Sequence, residues 1–99
     1  MIFIVIWTPR AEETFNKNIE YLEQDWDNQV LEAFFNRVDE VVDTIARDPQ
    51  LFPLHKSSKV IRRCVVTEQI SLYYKLKSDS TIDLLTFWNV YQNPKKLKL

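Results

Sequence analysis

The run from Thr81 to Trp88 carries large apolar side chains on both parities: Ile82, Leu84 and Trp88 on one, Leu85 and Phe87 on the other. Successive strand residues point to opposite faces, so a strand with one wet face alternates apolar with polar. This run does not alternate, and it is therefore expected at the centre of a sheet, contacted from both sides. Its polar continuation from Asn89 to Lys96 then emerges at a sheet edge, where a site can form.

A central strand needs a core to sit in. The chain has 99 residues, enough for one domain with a single packed core and no need of disulfides or metals. With 45% hydrophobic and 13% aromatic residues, disorder is excluded and a ring-rich core is expected. The net charge of −1 supplies no bulk basic field, so any nucleic-acid contact has to come from a local cluster. There is no glycine, which removes phosphate-binding loops and dinucleotide fingerprints, both of which need glycine where backbone meets phosphate. One cysteine, Cys64, cannot form an internal disulfide and fits a reducing compartment. The apolar start from Ile2 to Trp7 is too short to span a membrane and lacks the basic flank and cleavage site of a signal peptide. A cytoplasmic location is expected.

In chain order, Ile2 to Trp7 is a β-branched and aromatic run that reads as a buried first strand. Thr8-Pro9 then starts a helix: threonine caps free N–H groups, and proline suits the first helical position. Ala11, Phe15, Ile19, Leu22 and Trp26 recur at helical spacing, and Glu12 and Glu13 favour the N-terminal end of the helix dipole. Asp25-Trp26-Asp27-Asn28 reads as a turn. A second helix follows, with Val30, Leu31, Phe34, Phe35, Val38, Val41, Val42 and Ile45 on its apolar face, ended by Asp48-Pro49. Three strands are expected at Val60–Val66, Ile70–Lys77 and Thr81–Val90, joined by turns short enough for hairpins. The expected fold is α+β, β-α-α-β-β-β: a helical hairpin packed on one face of a four-stranded antiparallel sheet, in one domain over residues 1–99.

In the third strand, Ile70, Leu72, Tyr74 and Leu76 should lie under the helices, leaving Tyr73 and Lys75 on the open face. Arg62 and Arg63 are adjacent, so a regular strand sends them to opposite faces, and the sequence leaves open which one faces outward. Cys64 reads as a small core residue, and His55, the single histidine, as an ordinary loop residue with no second ligand for a metal. Trp7, Trp26 and Trp88 read as core or interface anchors.

Five stretches carry a resemblance: Trp7-Thr8-Pro9-Arg10-Ala11, Asp48-Pro49-Gln50-Leu51-Phe52-Pro53, the strand from Val60 to Val66, Leu72-Tyr73-Tyr74-Lys75-Leu76, and Phe87 to Leu97. In this order they resemble the RelE/ParE superfamily of toxins from bacterial type II toxin–antitoxin pairs, also described as plasmid stabilisation proteins. The resemblance implies a toxin neutralised by a cognate antitoxin. The antitoxin's disordered C-terminal segment is expected to fold onto this sheet and the adjacent helical hairpin, covering Arg62 or Arg63. The interface candidates are Arg62 or Arg63, Tyr73, Leu85 and Phe87. Members divide into ParE-like inhibitors of DNA gyrase and RelE-like ribosome-dependent mRNA endoribonucleases, and fold does not choose between them. A ribonuclease needs a base, an acid and cations for the phosphorane charge. Here these would be Arg62 or Arg63 with Tyr91, and Lys56, Lys59, Lys75, Lys95 and Lys96 would hold phosphates. Tyr91 stands where many relatives have arginine, and the slight acidity of the chain favours the gyrase reading. A member that binds antitoxin without toxicity is the third reading. Neither a metal nor a cofactor is expected.

Overall fold

The computed structural model describes residues 2–25, 28–92, 94–97 and 99. The expected place of Trp26 on the first helical stripe and most of the Asp25–Asn28 turn lie outside the described residues. The elements are β1 (Ile4–Trp7), α1 (Pro9–Asp25), α2 (Asn28–Arg47), β2 (Ile61–Val65), β3 (Ile70–Leu76) and β4 (Thr81–Asn89), followed by a 3₁₀ turn at Pro94–Lys96. They form two layers, with both helices on one face of a sheet ordered β1-β4-β3-β2.

Thr8 makes the corner after β1. Its hydroxyl accepts the Ala11 N–H at 3.2 Å, capping α1, and donates to the Leu84 carbonyl at 2.7 Å, tying the cap to β4. From Leu84 the helix advances along β4: Thr14 Oγ1 accepts the Phe87 N–H and Asn18 Nδ2 donates to the Phe87 carbonyl. α2 brings the chain back, so that Ala46 O accepts the N–H of Phe3 at 2.8 Å. Two helices thus return the chain to the end where β1 began. β2 starts in the direction of β1, β3 opposes it, and β4 runs with it again. The sheet is therefore mixed rather than antiparallel: β1 pairs with β4 in parallel, Ile4 opposite Thr81 through Trp7 opposite Leu84.

β4 is central, between β1 and β3, as its composition requires. Its missing alternation has a second cause. The β3–β4 register shifts between Tyr73 and Tyr74, so that Tyr73 faces Thr86 while Tyr74 faces Leu84, leaving Leu85 as a bulge. Leu84 and Phe87, three apart, consequently share the core face. β1 corrects the sequence expectation in another way. It is an edge strand, with Phe3, Val5 and Trp7 packed on the core and Ile4 and Ile6 exposed at 64% and 38%.

The core is ring-rich where α1, α2, β1 and β4 meet. Trp7 stacks on Phe87 at 5.3 Å and meets Phe15 edge-on at 5.2 Å, and Phe15 stacks on Phe34. Val38, Val41 and Ile45 of α2 cover the core side of the sheet together with Leu72, Tyr74, Ile82 and Leu84. The part of β4 beyond the end of β1 and the outer edge of β2 are closed without further strands. Thr14 and Asn18 satisfy the Phe87 backbone on one side. On the other, residues 53–55 run along β2, with Arg63 N–H to Pro53 O at 3.0 Å and His55 N–H to Ile61 O at 2.7 Å. Among the described residues no helix is long and apolar enough to cross a membrane.

Candidate functional site on the open sheet face

The adjacent arginines of β2 separate as strand geometry demands. Arg62 points to the helix side, where the 48–60 loop supplies acceptors: its Nη1 donates to Phe52 O at 2.7 Å and reaches Gln50 O at 3.4 Å. The neighbouring Tyr74 hydroxyl donates to Pro49 O at 2.8 Å, and burial raises the phenol above its usual pKa, against the opposing pull of Arg62. Arg62 is thus a loop staple and drops out of the site. Arg63 faces the open side beside Tyr73, its Nε donating to Ser71 Oγ at 3.1 Å.

The segment that closes the β2 edge also builds the site. The Leu54–Arg62 bridge and the bond from His55 N–H to Ile61 O hold residues 53–55 in strand register. Ser58 stiffens the return, donating its N–H to His55 O and accepting from Val60 and Ile61 through its hydroxyl. This places the His55 ring edge-on to Tyr73, centroids 5.4 Å apart at 87°. His55, Lys56, Arg63, Tyr73 and Trp88 line one cleft of about 410 Å³, bounded at its far end by Leu97 of the C-terminal tail. The cleft combines two cations, an imidazole and a phenol over an indole wall, which suits an anionic partner with an apolar or aromatic part.

The other residues anticipated from sequence scatter. Tyr91 is 75% exposed just past β4 and does not line this cleft, so the pairing of Arg63 with Tyr91 is not assembled. Of the lysines, Lys56 lines the cleft. Lys59 lies on the Arg62 and Tyr74 side, Lys75 sits opposite Asp83 on the open face, and Lys95 and Lys96 are in the 3₁₀ turn. Among the interface candidates, Phe87 is 1% exposed and stacked in the core, because the bulge turns it toward the helices. Tyr73 is buried beneath His55, and Leu85 is half-buried. Ile4 and Ile6 of β1, opposite Thr81 and Asp83 of β4, are exposed apolar side chains that sequence reading placed inside.

His55 is the functional candidate the sequence reading passed over. Its signal is weak: a proline two residues before it and a serine three after, which together shape an edge-hugging turn. Cys64, by contrast, sits in the core as expected, its thiol pushed up to about 11 by burial. Among the described residues, no group of three His, Cys, Asp or Glu side chains is placed to hold a metal ion.

Two helices on one face of a four-stranded mixed sheet, in the order β1-α1-α2-β2-β3-β4, is the fold of the RelE/ParE-type toxins. The profile described as ParE toxin of type II toxin-antitoxin system, parDE, matches residues 5–94, and the chain belongs to that family. Solved structures share the fold at low identity. The chromosomal ParDE toxin–antitoxin system from P. aeruginosa aligns at TM-score 0.65 and 16% identity, over 89% of this chain and 96% of that one. The toxin–antitoxin complex DinJ–YafQ from E. coli aligns at 0.61 and 13%, over 92% and 96%. The YoeB dimer from Staphylococcus aureus aligns at 0.59 and 17%, over 89% and 97%. No curated protein matches the chain in sequence.

Proposed function

We propose that this ParE-family toxin is neutralised by a cognate antitoxin and acts as an inhibitor of DNA gyrase rather than by cutting RNA. The observation that carries the choice is the separation of Tyr91 from Arg63. In-line cleavage by a 2′-hydroxyl needs a base and an acid on opposite sides of one phosphate, with a cation beside it. The exposed Tyr91 side chain stands outside the cleft that holds Arg63. An inhibitor that works by binding needs no such assembly. The antitoxin partner is supported by the complexes in which fold relatives occur, namely DinJ–YafQ and YoeB–YefM. On this chain its segment would cover the open face at Ile4, Ile6, Leu85 and Arg63.

One observation favours the ribonuclease as a second reading. His55, Lys56 and Arg63 share a cleft, and an imidazole beside a guanidinium is a working acid–base and charge-stabilising pair. A supercoiling assay with purified gyrase, beside toe-printing of translated mRNA, separates the two. Inhibition of supercoiling with intact mRNA supports the inhibitor. Cleavage that vanishes in His55→Ala and persists in Tyr91→Phe replaces it with a His55 ribonuclease.

A further inference from the structure

A second cleft, of about 370 Å³, opens on the opposite side of β4 from the Arg63 site, between α1 and the strand's exit. Its charged side chains are Arg10, Lys17, Lys96 and a single carboxylate, Glu13. Glu13 is already paired with Lys17 at 3.1 Å in an exposed i,i+4 bridge. Among the described residues neither Arg10 nor Lys96 has an ion-pair partner. The cleft therefore has an excess of positive charge, in a chain whose total is slightly negative.

The wall of the cleft adds an unmet hydrogen bond. Thr86, beside the β4 bulge at Leu85, is 1% exposed, and its Oγ1 has no hydrogen-bond partner among the described residues. A buried hydroxyl without a partner is costly and is uncommon unless something else satisfies it. Beside it, Asn18 spends both Nδ2 hydrogens on Thr14 O and Phe87 O, which leaves Oδ1 as an acceptor in the same cleft.

We propose that this cleft is a docking site for an acidic segment of a partner polypeptide, its carboxylate held by Arg10 and Lys96 and hydrogen-bonded by Thr86. The inference rests on the reading that the chain works in complex with a partner protein, and it assigns that partner a second surface, beyond the open face. Charge complementarity selects an anion. The Asn18 acceptor selects a peptide over a phosphomonoester, because a peptide brings N–H donors while the phosphoryl group of the ester, mostly a dianion at neutral pH, brings almost none. A carboxylate that meets a guanidinium, an ammonium and a hydroxyl gains charge-assisted hydrogen bonds. Most of the cleft's long side chains stay solvated, so the interaction is salt-dependent.

The test titrates the full-length chain by calorimetry at low salt with a short Glu-Ala peptide, a Lys-Ala peptide and AMP. The Glu-Ala peptide is expected to bind, with affinity falling by about tenfold or more in Arg10→Glu/Lys96→Glu and falling again as salt is raised. Thr86→Val separates a ligand-binding hydroxyl from a structural one. It should weaken the peptide while leaving the melting temperature of the free chain unchanged or higher, since it removes an unsatisfied group. A lower melting temperature with unchanged peptide binding overturns the role of Thr86. Equal binding of both peptides, no binding of the Glu-Ala peptide, or preferential binding of AMP overturns the site as drawn. Co-expression with the product of an adjoining antitoxin-like reading frame keeps the two readings apart. If the wild-type chain captures no partner, the partner reading fails. If it captures one and the charge-reversed chain captures it equally well, the cleft assignment fails alone.

Discussion

Arg62 and Arg63 are neighbours in sequence with opposite consequences when truncated. The Arg62→Ala substitution removes a 2.7 Å charged hydrogen bond to Phe52 O and a marginal 3.4 Å contact to Gln50 O. A hydrogen bond to a charged group is worth about 1.5–3 kcal/mol. The site is half-buried and the second contact adds little, so the expected cost is about 2 kcal/mol. In a domain of this size each kcal/mol moves the melting temperature by about 4–8 °C, which puts the loss at about 10 °C. Arg63→Ala loses one bond to Ser71 Oγ from an exposed guanidinium, and should cost below about 1 kcal/mol. Function should invert the order: Arg63→Ala impairs binding at the open face while its fold stays intact, and Arg62→Ala binds normally at a temperature where it is folded. Thermal denaturation followed by circular dichroism, beside an antitoxin-capture or gyrase assay, reads both quantities. If Arg63→Ala is the less stable variant, or Arg62→Ala melts within about 2 °C of wild type, the division of the two arginines between loop and site is wrong.

Asn18→Ala should destabilise by about 1–3 kcal/mol by stripping the Phe87 carbonyl of its partner, and Thr14→Ala, which frees the Phe87 N–H, should speed amide exchange at Phe87, since α1 closes this edge of β4. Unchanged exchange would mean the edge is closed by something else. Phe87→Ala should cost about 3–5 kcal/mol, because the ring stacks on Trp7 in a fully buried site; urea denaturation gives the value, and a cost under about 1 kcal/mol would place the ring on the surface. The Cys64 thiol, raised by burial to about 11, gives a pH dependence of known sign. Below about pH 9 the thiol is neutral whether folded or unfolded and stability is unaffected; between pH 9 and 11 the unfolded chain ionises more readily and stability falls, by at most about 2–3 kcal/mol. Cys64→Ala should flatten that part of the urea-midpoint profile.

Local chemistry makes much of this protein readable in its sequence. Thr8-Pro9 announces α1 because a capping hydroxyl and a preset φ act within one turn, and Thr8 does cap it. Asp48-Pro49 ends α2 for an equally local reason, and the 3.6-residue stripe through Phe34, Val38, Val41 and Ile45 matches the face that is buried. The centrality of β4 also followed, since apolar groups on both parities have to be covered from both sides.

Register and handedness of connection were not readable in that way, and the site depends on both. Whether β1 meets β4 in parallel depends on the direction in which two helices carry the chain, a property of the packed hairpin and not of any short stretch. The bulge at Leu85 comes from β3 and β4 fitting each other, and it moved Phe87 from an expected interface into the core. His55 acquires a role only because residues 53–55 lie against β2 and bring its ring to Tyr73, eighteen positions later in the chain. The sequence by itself determined which segments are helix or strand and which faces are apolar, because those follow from neighbours within a few residues. Tertiary structure alone decided which of two adjacent arginines faces the cleft and that Tyr91 stands apart from it, because strand pairing and loop closure join residues that the chain keeps far apart.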